Sequence, residues 1–340
     1  KRGDILDRDG NTLATSQKMY TLVLEPKNIL RSEEVQKSTI DALHKYMKLD
    51  EDKLLKFIKR HKDSYYSVYR EELSYSQIAD LKDFIASDKA ENVSGIVFNE
   101  KYKRRYPNQS LASQVIGFVS DGTIGTGGIE QYYNSTLSGV DGRKYKYLNE
   151  ELEQDSSIVE PENGKTVVTT IDSNIQKLAE DQLSKFEKKY GSKGSSILVM
   201  NPNNGEIYAM ACAPEFDLNS PFEITGDTTS MTAKEKQDLR NQMWRNPCVS
   251  DTYEPGSTFK VLTSAAGIEK KVVTMNDHFF CPGSRIVEDR RIRCHKTTGH
   301  GSETFLQGIM NSCNPVFMDV GSRLGVHNFF EELNQFQLMK

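Results

Sequence analysis

The chain has 340 residues, with 44 Lys and Arg against 48 Asp and Glu for a net charge of −4. That balance sets up no basic field of the kind that draws proteins to nucleic acid or to anionic membranes, so both are excluded as electrostatic partners. With 36% hydrophobic and 27% charged residues it has the composition of a folded globular protein, and its length predicts at least two domains.

The opening Lys1 to Pro26 alternates β-prone runs with turn residues. Asp9-Gly10-Asn11 separates Ile5-Leu6 from Thr12-Leu13, and Tyr20 to Leu24 reads as a strand. From Ser32 to Lys89 apolar residues recur at helical spacing: first Val35, Ile40, Leu43, Tyr46 and Met47, then Leu54, Leu55 and Ile58, then Ile78, Leu81, Phe84 and Ile85. Three amphipathic helices are therefore expected between strands. Strand signals return at Ile96 to Phe98 and Lys101 to Tyr106, followed by glycine-rich turns. The polar segment Asn149 to Gly164 reads as a linker and sets the expected boundary, with one domain over 1–155 and a second over 156–340.

Past it, Lys165 to Ile171 reads as a strand and Asp172 to Tyr190 as a helix capped by Asp172. Its expected buried stripe is Ile175, Leu178, Ala179, Gln182, Leu183 and Phe186. Ser196 to Met200 and Glu206 to Ala211 flank Asn201 to Gly205 as a hairpin. The whole predicts an α+β fold with an antiparallel sheet. Trp244, Met310 and Met318 read as core packing.

Tyr253-Glu254-Pro255-Gly256-Ser257-Thr258-Phe259-Lys260 runs into Val261 to Ile268, apolar enough to predict a helix buried on nearly all sides. Ser257 and Lys260 then share one face. A desolvated lysine loses its charge more readily and can take the proton of a neighbouring hydroxyl, so Lys260 suits a general base and Ser257 a nucleophile at a helix N-terminus. Alone the pattern is weak, because Ser-x-x-Lys arises by chance about once or twice in a chain this long. Ser257 is, however, the one serine followed three residues later by lysine. Further on, Ser312-Cys313-Asn314 supplies a hydroxyl able to relay a proton and an amide able to bind a substrate peptide bond.

Together these two elements resemble the penicillin-binding proteins. The resemblance extends to class B of that family through Arg2-Gly3-Asp4-Ile5-Leu6-Asp7-Arg8-Asp9-Gly10, Arg105-Tyr106-Pro107, Gly127-Gly128-Ile129-Glu130 and Thr170-Ile171-Asp172, and within it to the stage V sporulation protein D subgroup. It implies an N-terminal pedestal of strands with a helical insertion, then a transpeptidase domain. It implies a D,D-transpeptidase that cross-links peptidoglycan stem peptides in cell-wall or spore-cortex synthesis, with Ser257, Lys260 and Ser312 catalytic, Asn314 binding substrate and β-lactams acylating Ser257. It also implies the outer face of the bacterial membrane, an N-terminal anchoring helix that this sequence lacks, and a membrane glycosyltransferase as partner. The acyl transfer needs no cofactor. The family's Lys-[Ser/Thr]-Gly motif is absent, the sequence being expected to stop short of it, and Lys296-Thr297-Thr298-Gly299 is one residue too long and comes too early. A D,D-carboxypeptidase or β-lactamase shares the Ser-x-x-Lys chemistry without needing a pedestal, and a catalytically silent scaffold for the glycosyltransferase is the reading from another class.

Five cysteines, all in the C-terminal half, do not make a disulfide scaffold. Cys281, Cys294, His295 and His300 nevertheless crowd into one short stretch whose composition suits a tetrahedral Zn²⁺ site. Cys281, Cys294 and His300 are the expected ligands, with His295, Asp277 or Cys313 as the fourth. Buried free thiols and a Cys281–Cys294 or Cys294–Cys313 disulfide are the competing readings.

Overall fold

The computed structural model describes residues 1–120, 122–148, 154–192 and 194–339. They fall into two compact units, Lys1–Asp251 and Thr252–Lys340.

In the first unit the strand Thr12–Leu24 is the spine. It pairs antiparallel with Ser67–Leu73 on one side and with Ile96–Arg105 on the other, while Ile5–Leu6 pairs with its first residues. The three expected helices are Glu33–Met47, Glu51–Arg60 and Tyr75–Ile85. Ser32 and Asp50 accept from Val35 N and Lys53 N to start the first two, and a Ser74/Gln77 capping box starts the third. Their apolar faces bury Ile40, Leu43, Leu54, Ile58, Ile78 and Leu81 with Leu22 and Leu24 of the spine.

Residues 149–153 of the expected linker lie outside the described residues. Gln154–Val159 forms a strand antiparallel to Arg143–Leu148 rather than a linker. Ile158 and Val159 at its end are exposed.

Three of the four quoted motifs meet in one buried ion network, through Arg2, Tyr106 and Glu130. Glu130, fully buried, accepts from Arg2 Nε at 2.7 Å, Arg104 Nε at 2.6 Å and the Tyr106 hydroxyl at 3.2 Å. Arg104, not its neighbour Arg105 in the quoted motif, makes the contact because successive residues of a strand face opposite sides.

Val167–Val168 adds a short parallel strand to Ile5–Leu6. Asp172 caps Ser173–Tyr190 by accepting from Asn174 N and Ile175 N, as expected. The helix packs on the hairpin of Ser195–Met200 and Ile207–Ala213 through Ala179, Leu183, Ala209 and Ala211. Its buried face is rotated from the expected stripe: Leu178 and Phe186 are exposed, while Gln176 and Glu180 are buried. Hydrogen bonding explains the exchange. Gln176 accepts from Met210 N and donates to Met210 O, and Glu180 accepts from Ala112 N at 2.7 Å and Gln176 Nε2 at 2.7 Å. Apolar spacing cannot announce a polar seam.

The second unit packs Ala266, Phe279, Phe305, Val316, Phe317 and Val320 around its centre. His278–Cys281 pairs antiparallel with Gly301–Thr304, and Ser284–Val287 forms a hairpin with Arg290–Arg293. The helices are Lys260–Glu269, Phe305–Met310 and Asn314–Gln335, the last broken at Gly325. Met310 is exposed rather than core, while Trp244 of the first unit packs on Phe118 and donates to Pro221 O. No helix among the described residues is long and apolar enough to cross a membrane.

Candidate active site and metal centre

Ser257 lies in the 3₁₀ turn Gly256–Phe259 that feeds the helix Lys260–Glu269. The turn is exposed, and the helix buries only Thr263, Ala266 and Gly267, leaving Val261 and Ile268 open. The all-round burial expected from its composition is therefore not seen. The helix packs against Asn314–Gln335, so only the face on that contact is covered.

Lys260 is the pivot. Its Nζ donates to Ser312 O at 2.7 Å, Ser312 Oγ at 3.1 Å and Asn314 Oδ1 at 2.6 Å, and it sits over the Phe317 ring. Two motifs separated by 52 residues thus converge on one ammonium group. Among the described residues no hydrogen bond joins Ser257 to Lys260. Burial lowers the Lys260 pKa, opposed by the nearby Cys294 and Cys313 thiols. Two of its partners, Ser312 O and Asn314 Oδ1, can only accept, whereas the Ser312 hydroxyl can also donate. A neutral amine has two donors and one lone pair, so these three groups satisfy it completely if the Ser312 hydroxyl reverses its bond. The lysine can give up its proton here without leaving a polar group unpaired.

Ser312 itself holds φ +48°, a left-handed conformation that is uncommon outside glycine. Such strain, costing roughly 1–3 kcal/mol, persists where surrounding structure dictates it. Here Ser312 N donates to Ile309 O and Cys313 N to Gly308 O, turning the chain so that the Ser312 carbonyl and hydroxyl both face Lys260. Asn314 is held at its other end, its Nδ2 donating to Arg293 O at 2.8 Å.

Directly behind this turn, the ligand atoms of Cys281, Cys294, His300 and Cys313 all lie within 4.8 Å of one another. Cys313 completes the group. His295 is outside it, its Nδ1 3.9 Å from the Cys294 sulfur and its side chain exposed, and Asp277 instead pairs with Arg323. All five cysteines are free thiols. Strand pairing sets Cys281 against Gly301, next to His300. Gly283 and Gly299, both left-handed, close the loop so tightly that a Cβ on Gly283 would stand 2.0 Å from Thr297 O and one on Gly299 2.3 Å from Cys281 O.

The donor set suits a metal ion. Burial disfavours the Cys294 thiolate, but backbone N–H groups of Lys296 and Asn314 and the thiols of Cys281 and Cys313 outweigh it, and the net shift is downward. Burial and the Glu303 carboxylate push Cys313 upward. Glu303 is buried, its Oε2 accepting from Asn311 while its Oε1, 3.9 Å from His300 Nδ1, has no hydrogen-bond partner. Three buried thiols, an imidazole and an orphaned carboxylate oxygen make a site that a thiophilic cation would satisfy. The sequence singled out neither Glu303 nor Arg293; Arg293 acts through its carbonyl, which no side-chain pattern reveals.

The description "Penicillin-binding Protein dimerisation domain" matches residues 1–169, and "Penicillin binding protein transpeptidase domain" matches residues 195–340. The chain belongs to the penicillin-binding protein family. Stage V sporulation protein D of Bacillus subtilis is 32% identical to this penicillin-binding protein over 99% of the chain and 49% of that protein's length. Peptidoglycan D,D-transpeptidase FtsI of Buchnera aphidicola is 25% identical over 81% of the chain and 45% of its own length. The chain thus spans about half the length of the curated relatives it matches. Penicillin Binding Protein 2X from Streptococcus thermophilus superposes with a TM-score of 0.80 at 25% identity, covering 98% of this chain and 51% of that one. Penicillin-Binding Protein PBP2 from Helicobacter pylori, solved with MreC, shares the fold at a TM-score of 0.66 and 23% identity, over 98% and 63% of the two chains.

Proposed function

We propose that the full-length protein is a serine D,D-transpeptidase of bacterial cell-wall or spore-cortex synthesis, with residues 1–155 as its pedestal and 156–340 as the first part of its transpeptidase domain. The observation that carries this reading is the convergence of Ser312 Oγ and Asn314 Oδ1 on Lys260 Nζ, three residues past Ser257.

Ser257 Oγ attacks the penultimate D-Ala carbonyl of a stem peptide, and its proton passes to Lys260, directly or through the Ser312 hydroxyl. The backbone N–H of Ser257 stabilises the oxyanion. The lysine proton returns through Ser312 to the leaving amine, terminal D-Ala departs, and an amine from a neighbouring strand takes the acyl group from the Ser257 ester. Asn314 orients the substrate. β-Lactams stop at the ester.

Zn²⁺ is the ion best suited to Cys281, Cys294, His300 and Cys313, where it would stabilise the turn that carries Ser312. It takes no part in the acyl transfer. The family resemblance supports an extracytoplasmic protein anchored by an N-terminal helix and working with a membrane glycosyltransferase.

Fluorescent penicillin labelling of the full-length protein tests the reading. Stable labelling that disappears in Ser257→Ala is expected. Absence of labelling points to a silent scaffold, and rapid loss of the label points to a β-lactamase or carboxypeptidase.

A further inference from the structure

We propose that the arginine hairpin Ser284–Arg293 is a binding wall for the carboxylates of an acidic stem peptide, with Arg291 and Arg293 as the contacting side chains. The inference rests on the proposed active site and adds a specificity element to it.

The hairpin is tied to the reacting groups at its foot. Arg293 O accepts from Asn314 Nδ2 at 2.8 Å, and the other end of the same amide accepts from Lys260 Nζ at 2.6 Å. Cys294 N donates to Gly283 O at 2.9 Å, closing the two strands immediately beside the thiol cluster. A ribbon fixed this way cannot slide relative to the Ser312–Asn314 turn.

Its charge is one-sided. From Ser284 to Lys296 five side chains are cationic (Arg285, Arg290, Arg291, Arg293 and Lys296) and two anionic, Glu288 and Asp289, both in the turn. The register pairs Ser284 with Arg293, Arg285 with Ile292, Ile286 with Arg291 and Val287 with Arg290. Alternation therefore puts Arg285, Val287, Arg290 and Ile292 on one face and Ser284, Ile286, Arg291 and Arg293 on the other. On the first face Arg285 pairs with Asp319 of the helix Asn314–Gln335, which marks that face as the one turned to the protein. On the second, Arg291 and Arg293 are exposed and have no acidic partner among the described residues, and Ile286, directly opposite Arg291 on the neighbouring strand, is exposed too. Two free guanidinium forks two residues apart on one strand, with an apolar residue beside one of them, match an extended peptide bearing carboxylates, since the fork binds a carboxylate through two parallel hydrogen bonds.

The test compares two synthetic stem pentapeptides that both keep the terminal D-Ala carboxylate, one with its internal carboxylates free and one with them amidated. Binding is read by fluorescence anisotropy on full-length protein carrying Ser257→Ala, so acylation does not intrude. The Ser257→Ala protein should prefer the free acid about tenfold, a preference that shrinks with salt. R291Q/R293Q should abolish the preference, whereas R290Q on the opposite face should keep it. On the Ser257 background, R290Q, on the face turned away from the proposed wall, should leave penicillin labelling within about twofold. Equal binding of the two peptides, or a preference that survives R291Q/R293Q, overturns the inference. Failure of penicillin to label the wild type counts against Ser257 as nucleophile and leaves the peptide comparison standing.

Discussion

The Lys260 amine and the Ser312 hydroxyl stand 3.1 Å apart, in a bond that can run in either direction. With lysine charged, Nζ donates. With lysine neutral, Nζ keeps its bonds to Ser312 O and Asn314 Oδ1 and accepts from the hydroxyl. That reversibility is what the proposed proton relay requires of the pair.

Its pH dependence follows. The Lys260 pKa is lowered by burial, so the neutral amine becomes populated at lower pH than for an exposed lysine. The rate of Ser257 acylation by penicillin should rise with pH and level off above the lowered pKa. Lys260→Arg, which cannot deprotonate, should remove the rise and reduce the rate by about 10²–10⁴-fold, the usual size of a general-base contribution. Stopped-flow labelling across pH measures both. A wild-type rate independent of pH would reject lysine as the base.

In the pedestal, Glu130→Ala should leave Arg2 and Arg104 buried without their shared carboxylate. Breaking one side of a buried ion network costs about 3–5 kcal/mol. Thermal unfolding should show that loss, while Lys101→Ala at an exposed pair with Glu71 should cost at most about 1 kcal/mol.

The two cases also show what a sequence displays. Periodicity announces helices because a face must be apolar, and the three helices between Glu33 and Ile85 fall where spacing places them. The meeting of Lys260 with Ser312 and Asn314 could be anticipated because their residue types and offsets suit the proposed chemistry. Glu130 with Arg2 and Arg104 was not, because ion partners about 130 and 26 residues apart leave no periodic trace. Gln176 and Glu180 were missed for a related reason: they occupy a buried face through backbone hydrogen bonds that polarity alone argues against.

Glu180 gives a stability signature at mild pH. Burial pushes its pKa up to about 7, although Gln176 and the Ala112 N–H favour the carboxylate. An acid whose pKa is higher folded than unfolded holds its proton better in the native state. Its contribution is therefore fully present below about pH 4.5 and lost as pH rises towards 7. The shift corresponds to about 3–4 kcal/mol at most. Glu180→Gln, which can still accept from Ala112 N, should flatten this part of the denaturant-midpoint profile. An unchanged slope between pH 4.5 and 7 would discount the raised pKa.

Metal removal separates a working centre from a chance cluster of thiols. If Cys281, Cys294, His300 and Cys313 hold Zn²⁺, the purified protein carries close to one equivalent, and chelation releases it. Cys313 lies between Ser312 and Asn314, so loss of the ion should loosen both motif residues together. Chelation should then lower the melting temperature and slow penicillin acylation, and added Zn²⁺ should restore both. Cys313→Ala should reproduce the apo behaviour without rescue. His295→Ala should retain the metal, because His295 stands outside the cluster. Metal-free protein whose thiols all titrate and whose melting is indifferent to Zn²⁺ would leave the four residues as packing, with Glu303 Oε1 still unpartnered behind them.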